Sequence, residues 1–404
     1  MRILFLTPQF PWPTHQGTTL RNFNLLKQLA QRHEVHLFSI LAPGDDPAAG
    51  PVAELAASIT TAAQPPRSPR DRLRDLIATP LPDMARRLWS PHARDALLAL
   101  VRDLRPDILQ IEGIEMAPYF FALRDAGVSY GRAIYDAHNA ETLLQQRAAR
   151  ADLRRPKRWP AAAYSAIQTA KLRRYERSLA QSVDGVAAVS EPDARFLSAL
   201  APETSISVVT NGVDLALYRP DEIFPPVMAG PGPHLVFTGK MDFRPNVDAA
   251  LWFADEVLPN LKSAGVDAHF WVVGRNPHAR LQTLVGRSDV TVTGAVSDVR
   301  PYIVQADVYV VPLLAGGGTR FKILESLALA KPVVSTTLGA DGIQVVDGVH
   351  LALADEPRDF AQRIIDLLAD HQQAEEMGRR GRAFIQQHFS WDAIAPEMEK
   401  LFRA

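Results

Sequence analysis

The chain has 404 residues, 47% of them hydrophobic and 22% charged, with a formal net charge of −1 and no cysteine. That length suits two domains better than one core, and near-neutrality gives no global field to select nucleic acid. Without cysteine there are no disulfides, no thiolate zinc sites and no cysteine nucleophile. The eleven histidines are scattered, with no H-E-x-x-H spacing, so no metal site is expected.

The opening MRILFLTPQFPWP is too short in its apolar run for a signal peptide, and Arg2 to Thr7 reads as a buried first strand. No stretch reaches the ~20 apolar residues of a membrane span. A cytoplasmic protein is therefore expected, at most peripheral to a membrane.

Short apolar runs then alternate with helical patterns. The first half carries ILFLT, VHLFSI, DILQIE, RAIYDAH and GVAAVS; the second carries HLVFTG, AHFWVVG, VTVTG, DVYVVP, PVVST and HLALA. Each is too short for a helix and too continuous for a half-exposed strand, so buried parallel strands in an α/β fold are predicted. Between the halves, the Pro/Gly-rich stretch 218–234 reads as a linker. The expected domains are 1–220 and 232–385, with 221–231 between them and a closing amphipathic helix in 386–404.

The first half is net positive and the second net negative. The excess lies in the basic stretch 147–177, which includes Arg147, Arg154, Arg155, Lys157, Arg158 and Arg177, with Trp159 among them. A solvated helical face is the bland reading; contact with an anionic membrane surface or lipid-diphosphate acceptor is the functional one.

Four segments could carry chemistry. In DVYVVPLLAGGGTRFKILESLALAKPVVS a strand ends at Pro312 and Gly316, Gly317 and Gly318 follow. Thr319, Arg320 and Lys322 then open a helix that continues through Glu325. Glycines admit a ligand close to backbone N–H groups, the helix terminus carries partial positive charge, and two cations add to it, which suits a diphosphate. There is no P-loop and no G-x-G-x-x-G, so ATPase and NAD-dependent dehydrogenase readings lose support. In HLVFTGKMDFRPN a strand ends at Gly239, with Lys240 and Arg244 in the following loop. Near the N-terminus Gly17 lies in the loop after the first strand, ahead of a helix capped by Thr18 or Thr19. Finally, Asp136, His138 and Asn139 follow the strand RAIYDA.

Together these residues resemble the retaining GT-B glycosyltransferases of the group 1, family 4-like type. The likeness runs over nearly the whole chain: the opening strand and glycine loop, VSEPDARFL, VVTNGVD, FTGKMD, VVG at Gly274 and GGGTRFKILESLAL. It implies two Rossmann-like domains facing a central cleft, with the last helix packing back on the N-terminal domain. The donor would lie on the C-terminal domain and the acceptor on the N-terminal one. It assigns Lys240, Arg320 and Lys322 to the donor phosphates, Glu325 to the nucleotide ribose and His138 to the donor sugar. Gly17, Gly239, Arg244, Gly274, Gly317, Gly318 and Thr319 would complete the donor site.

Two positions depart from the pattern. A glutamate is common eight residues before the ribose glutamate, and Gly317 stands there; Pro245 stands near a usual lysine, with Arg244 as its substitute. The implied reaction moves a sugar from a UDP-, GDP- or ADP-sugar to a glycan, lipid-linked or small-molecule acceptor. It proceeds with retention, without metal or other cofactor, and with the domains closing over the donor. The rivals are a GT-B epimerase or inverting transferase and an inactive sugar-nucleotide-binding subunit.

Overall fold

The computed structural model describes residues 1–14, 16–153, 159–230, 232–315 and 320–403. The chain forms two compact units, Met1–Thr210 with Ile394–Ala404, and Asn211–Ala393.

In the first unit the apolar runs form β1 (Arg2–Thr7), β2 (Glu34–Leu41), β4 (Ile108–Glu112), β5 (Arg132–Ala137) and β6 (Gly185–Ala188). Two further strands, β3 (Ser58–Ala63) and β7 (Ser205–Val208), complete a seven-stranded sheet in the order β3-β2-β1-β4-β5-β6-β7. Every pairing in it is parallel. The apolar pattern did not mark β3 and β7, which are edge strands. An edge strand is not covered on all sides, so SITTAA and SISV carry no continuous apolar run. In contrast, Ile3, Leu4, Phe5 and Leu6 of the central β1 are all inaccessible to solvent.

The second unit has a six-stranded sheet: β8 (His234–Thr238), β9 (His269–Val273), β10 (Val290–Gly294), β11 (Val308–Val311), β12 (Val333–Ser335) and β13 (Ala352–Leu353). Its order, β10-β9-β8-β11-β12-β13, repeats the first six strands of the other sheet, again wholly in parallel. In both sheets the order reverses beside the first strand: between β1 and β4, and between β8 and β11. Ligands of open parallel sheets bind outside the carboxyl ends of the strands at such a reversal.

Each unit has its own apolar core. The Pro-rich segment before β8 is held on the second unit by side chains. Arg300 Nη1 donates to the Leu217 carbonyl, and the Gln305 amide bonds Val227 N and the Pro225 carbonyl. The final helix spans Trp391–Arg403, and its residues from Ile394 onward belong to the first unit. There Glu399 pairs with Arg32 and His33, and Leu401 packs over Gly185. Among the described residues no helix is long and apolar enough to cross a membrane.

Candidate functional site

In the second unit, Gly239 follows β8 and Gly274 follows β9, and their backbones nearly touch. A Cβ on Gly274 would stand 1.7 Å from the Gly239 carbonyl oxygen, so only glycine permits this approach. On Gly239 a Cβ would meet the Asn246 amide at 2.7 Å and the Lys322 ammonium at 3.3 Å. The reversal point therefore brings Gly239, Gly274 and Lys322 together from three separate stretches of sequence.

Lys322 lies in the first turn of the helix Phe321–Ala328, for which Arg320 is the N-cap. Its Nζ donates to Asn246 Oδ1 at 2.8 Å and lies 4.2 Å from the centre of the Phe237 ring. Burial, reinforced by the charge of Arg320, brings its ammonium down to about 7 against the pull of Glu325. Glu325 is raised to about 7, mainly by burial, against the Tyr218 bond and the Lys322 charge. The Tyr218 phenol donates to Glu325 Oε1 at 2.9 Å. The Arg320 guanidinium is buried and bonds the Leu338 carbonyl at 3.1 Å. A helix start carrying Arg320 and Lys322, with Gly239 close to the Lys322 ammonium, can hold an anion. Gly317, Gly318 and Thr319 lie outside the described residues.

Lys240 follows Gly239 in the loop, half exposed, 3.5 Å from Asp242. Arg244 is not in that loop: it opens the helix Arg244–Trp252, where it is largely exposed and pairs with Asp248 at 3.2 Å. Pro245 at the second helical position explains the difference, because its fixed φ and missing N–H favour the start of a helix.

In the first unit Gly17 is exposed and begins the helix Gly17–Leu29. Gln16, rather than Thr18 or Thr19, is the N-cap; the Thr19 hydroxyl instead folds back on Gln16, bonding its N–H and its carbonyl. Further along, Arg21 holds Asp136 at the end of β5 by two 2.8 Å bonds, and both residues are buried.

Beside this pair, His138 Nε2 lies 2.9 Å from Glu112 Oε2 at the end of β4. Gln110 donates to Glu112 Oε1, and the Asn22 amide, with its nitrogen toward Oε2, donates there at 2.8 Å. Burial and the charge of Asp136 push Glu112 up to about 7. For His138 burial works the other way, but the Glu112 bond and the nearby carboxylates outweigh it and raise its pKa. Glu112, Asp136 and His138 bring their ligating atoms within 4.8 Å of one another. Both Asp136 oxygens, however, are committed to Arg21, whose positive charge opposes a cation there.

Arg21, Glu112, Tyr218 and Asn246 escaped the sequence reading. The signal for Glu112 is a charge inside the otherwise apolar strand ILQIE, whereas Arg21 stands on an amphipathic helix and carried none. Tyr218 and Asn246 carried none, since their partners are far along the chain.

Two parallel α/β units of this strand order, with cations at the reversal of the second sheet, define a GT-B-type architecture. Residues 16–217 match the model "Glycosyltransferase Family 4", and residues 232–370 match "Glycosyl transferases group 1". The chain belongs to this glycosyltransferase family.

Among curated relatives, a GDP-mannose-dependent alpha-(1-6)-phosphatidylinositol monomannoside mannosyltransferase of Mycobacterium tuberculosis is 27% identical over 256 residues. The match covers 56% of this chain and 63% of that protein, which is less than two thirds of its length. Sucrose-phosphate synthase of Thermosynechococcus elongatus superposes with a TM-score of 0.69 at 18% identity, covering 100% of this chain and 98% of that one. HepE of Anabaena in complex with UDP superposes with a TM-score of 0.65 at 15% identity, covering both chains completely.

Proposed function

We propose that the protein transfers a sugar from a nucleotide-sugar to a glycan, lipid-linked or small-molecule acceptor, with retention and without a metal ion. The observation that carries this reading is the meeting of Lys322 with Gly239 and Gly274 at the reversal of the second sheet, with Arg320 at the cap of the same helix and Lys240 next to Gly239 in sequence. The nucleoside diphosphate leaving group gathers negative charge as the glycosidic bond breaks. Preorganised cations and helix-terminal amides stabilise that charge without reorganising. Glu325, held by Tyr218, takes the ribose hydroxyls, and His138 contacts the transferred sugar. The related proteins use GDP-mannose or are bound to UDP by their names, which supports a nucleotide donor and leaves its base to be measured. The test is release of nucleoside diphosphate from a panel of UDP-, GDP- and ADP-sugars, run with and without excess EDTA. Turnover of one donor that persists in EDTA is expected. No release from any donor would refute the transferase reading, and loss on chelation restored by magnesium or manganese would refute the metal-free one.

A peripheral membrane contact accompanies this reading. Arg154, Arg155, Lys157 and Arg158 lie outside the described residues, but the helix Trp159–Ala180 carries the argument further. Its exposed positions among the described residues include Trp159, Ala163, Ala166, Ile167 and Ala170, then Arg173, Arg174 and Arg177. Lys171 of that helix donates to three carbonyls at the end of the helix Pro69–Ala78, which presents Leu73 and Ile77 to solvent at 63% and 85% exposure. Apolar side chains next to arginines suit the surface of an anionic bilayer, where each basic residue contributes about 1 kcal/mol. Co-sedimentation with anionic but not neutral liposomes is expected, weakened by Leu73→Asp with Ile77→Asp and by Arg173→Glu with Arg174→Glu. Equal sedimentation with both lipids would refute the contact.

A further inference from the structure

We propose that Asn246 is the positioning residue that aims the Lys322 ammonium at the donor diphosphate; this assignment rests on the donor site proposed above. Asn246 is buried and stands near the start of the helix Arg244–Trp252, between the loop after β8 and the helix of Lys322. Its amide bridges the two: Nδ2 donates to the Lys240 carbonyl at 3.0 Å, and Oδ1 accepts from Lys322 Nζ at 2.8 Å. The first bond fixes the second. A carbonyl can only accept, so the amide nitrogen must face Lys240, and the oxygen is left to the lysine.

Lysine is a point charge on a flexible four-carbon stem, so a fixed location has to come from its neighbours. Here the Asn246 oxygen holds one N–H and the Phe237 ring lies against the ammonium. Gly239, which has no side chain, leaves room next to Nζ. The bridge is also neutral. An aspartate would hold the lysine equally well but would cancel the charge that a phosphate needs. The charged groups around Lys322 are Glu325 and Arg320 on its own helix, while the Lys240 side chain is turned to Asp242.

The test is calorimetric titration of UDP, GDP and the matching nucleosides into four proteins: wild type, Asn246→Leu, Asn246→Asp and Lys322→Ala. Each titration is repeated between about pH 6 and about pH 8.5, a window that brackets the lowered lysine. Asn246→Leu should weaken the diphosphate about tenfold, the size of one charged hydrogen bond, and leave the nucleoside unchanged. Asn246→Asp, nearly the same shape, should move the pH at which diphosphate affinity declines upward, because the new carboxylate keeps Lys322 protonated. It also serves where the leucine variant does not fold. If Lys322→Ala loses the diphosphate while both Asn246 variants bind with the wild-type affinity and pH profile, the positioning role is wrong and the donor site stands. If Lys322→Ala itself binds as wild type, the donor site is misplaced and the assignment falls with it.

Discussion

Arg21 and Asp136 are 1% and 0% exposed and hold each other through two 2.8 Å bonds, with Arg21 Nη1 also donating to the Thr210 carbonyl. Two charges taken out of water are tolerated because each neutralises the other. Removing one partner strands the other, so Arg21→Met or Asp136→Leu should each destabilise the protein by about 3–5 kcal/mol. The double variant should recover much of that loss, since it leaves no buried charge. Denaturant midpoints of the two single variants and the double variant test this. A double variant as unstable as the sum of the singles would mean that the two residues are not coupled and that the single losses do not come from a stranded charge. In the sequence, Arg21 looks like any cation on an amphipathic helix, and nothing local shows that Asp136, 115 residues away, turns it inward.

The proposed donor site takes its cations from the start of the helix Phe321–Ala328. The start of a helix carries partial positive charge, and Arg320 stands at the cap with Lys322 in the first turn. Arg320→Ala should lower kcat/KM by roughly ten- to a hundred-fold, the value of a charged hydrogen bond to a phosphate. It should weaken nucleoside diphosphate far more than bare nucleoside. Glu325→Gln, further along the helix, should weaken both alike. Steady-state kinetics and titrations of the two ligands check this. An Arg320→Ala protein that folds and binds the diphosphate as wild type would remove the main support for the donor site. At this scale the sequence was informative: strand, glycine triplet, cations and helix follow one another within a few residues, and local order decides them. It did not show that Arg244 begins a helix and pairs with Asp248.

Over the whole molecule, the sequence by itself determined the layered α/β class, the two-sheet composition and most strands. Buried parallel strands must be continuously apolar, and Gly, Pro and cations punctuate them at fixed offsets. It also supplied the motifs by which the chain resembles its family. Only the tertiary structure decided the rest. The edge strands β3 and β7 carry weak patterns because burial does not shape both their faces. The shared strand order, which places β8 beside β11 and β1 beside β4, arises from long-range pairing that no local window contains. The partners of the site residues follow from that order: Asn246 with Lys322, Tyr218 with Glu325, Glu112 with His138 and Arg21 with Asp136. A charged or polar side chain is the same letter whether it faces water or a buried partner, and the fold alone determines which it meets.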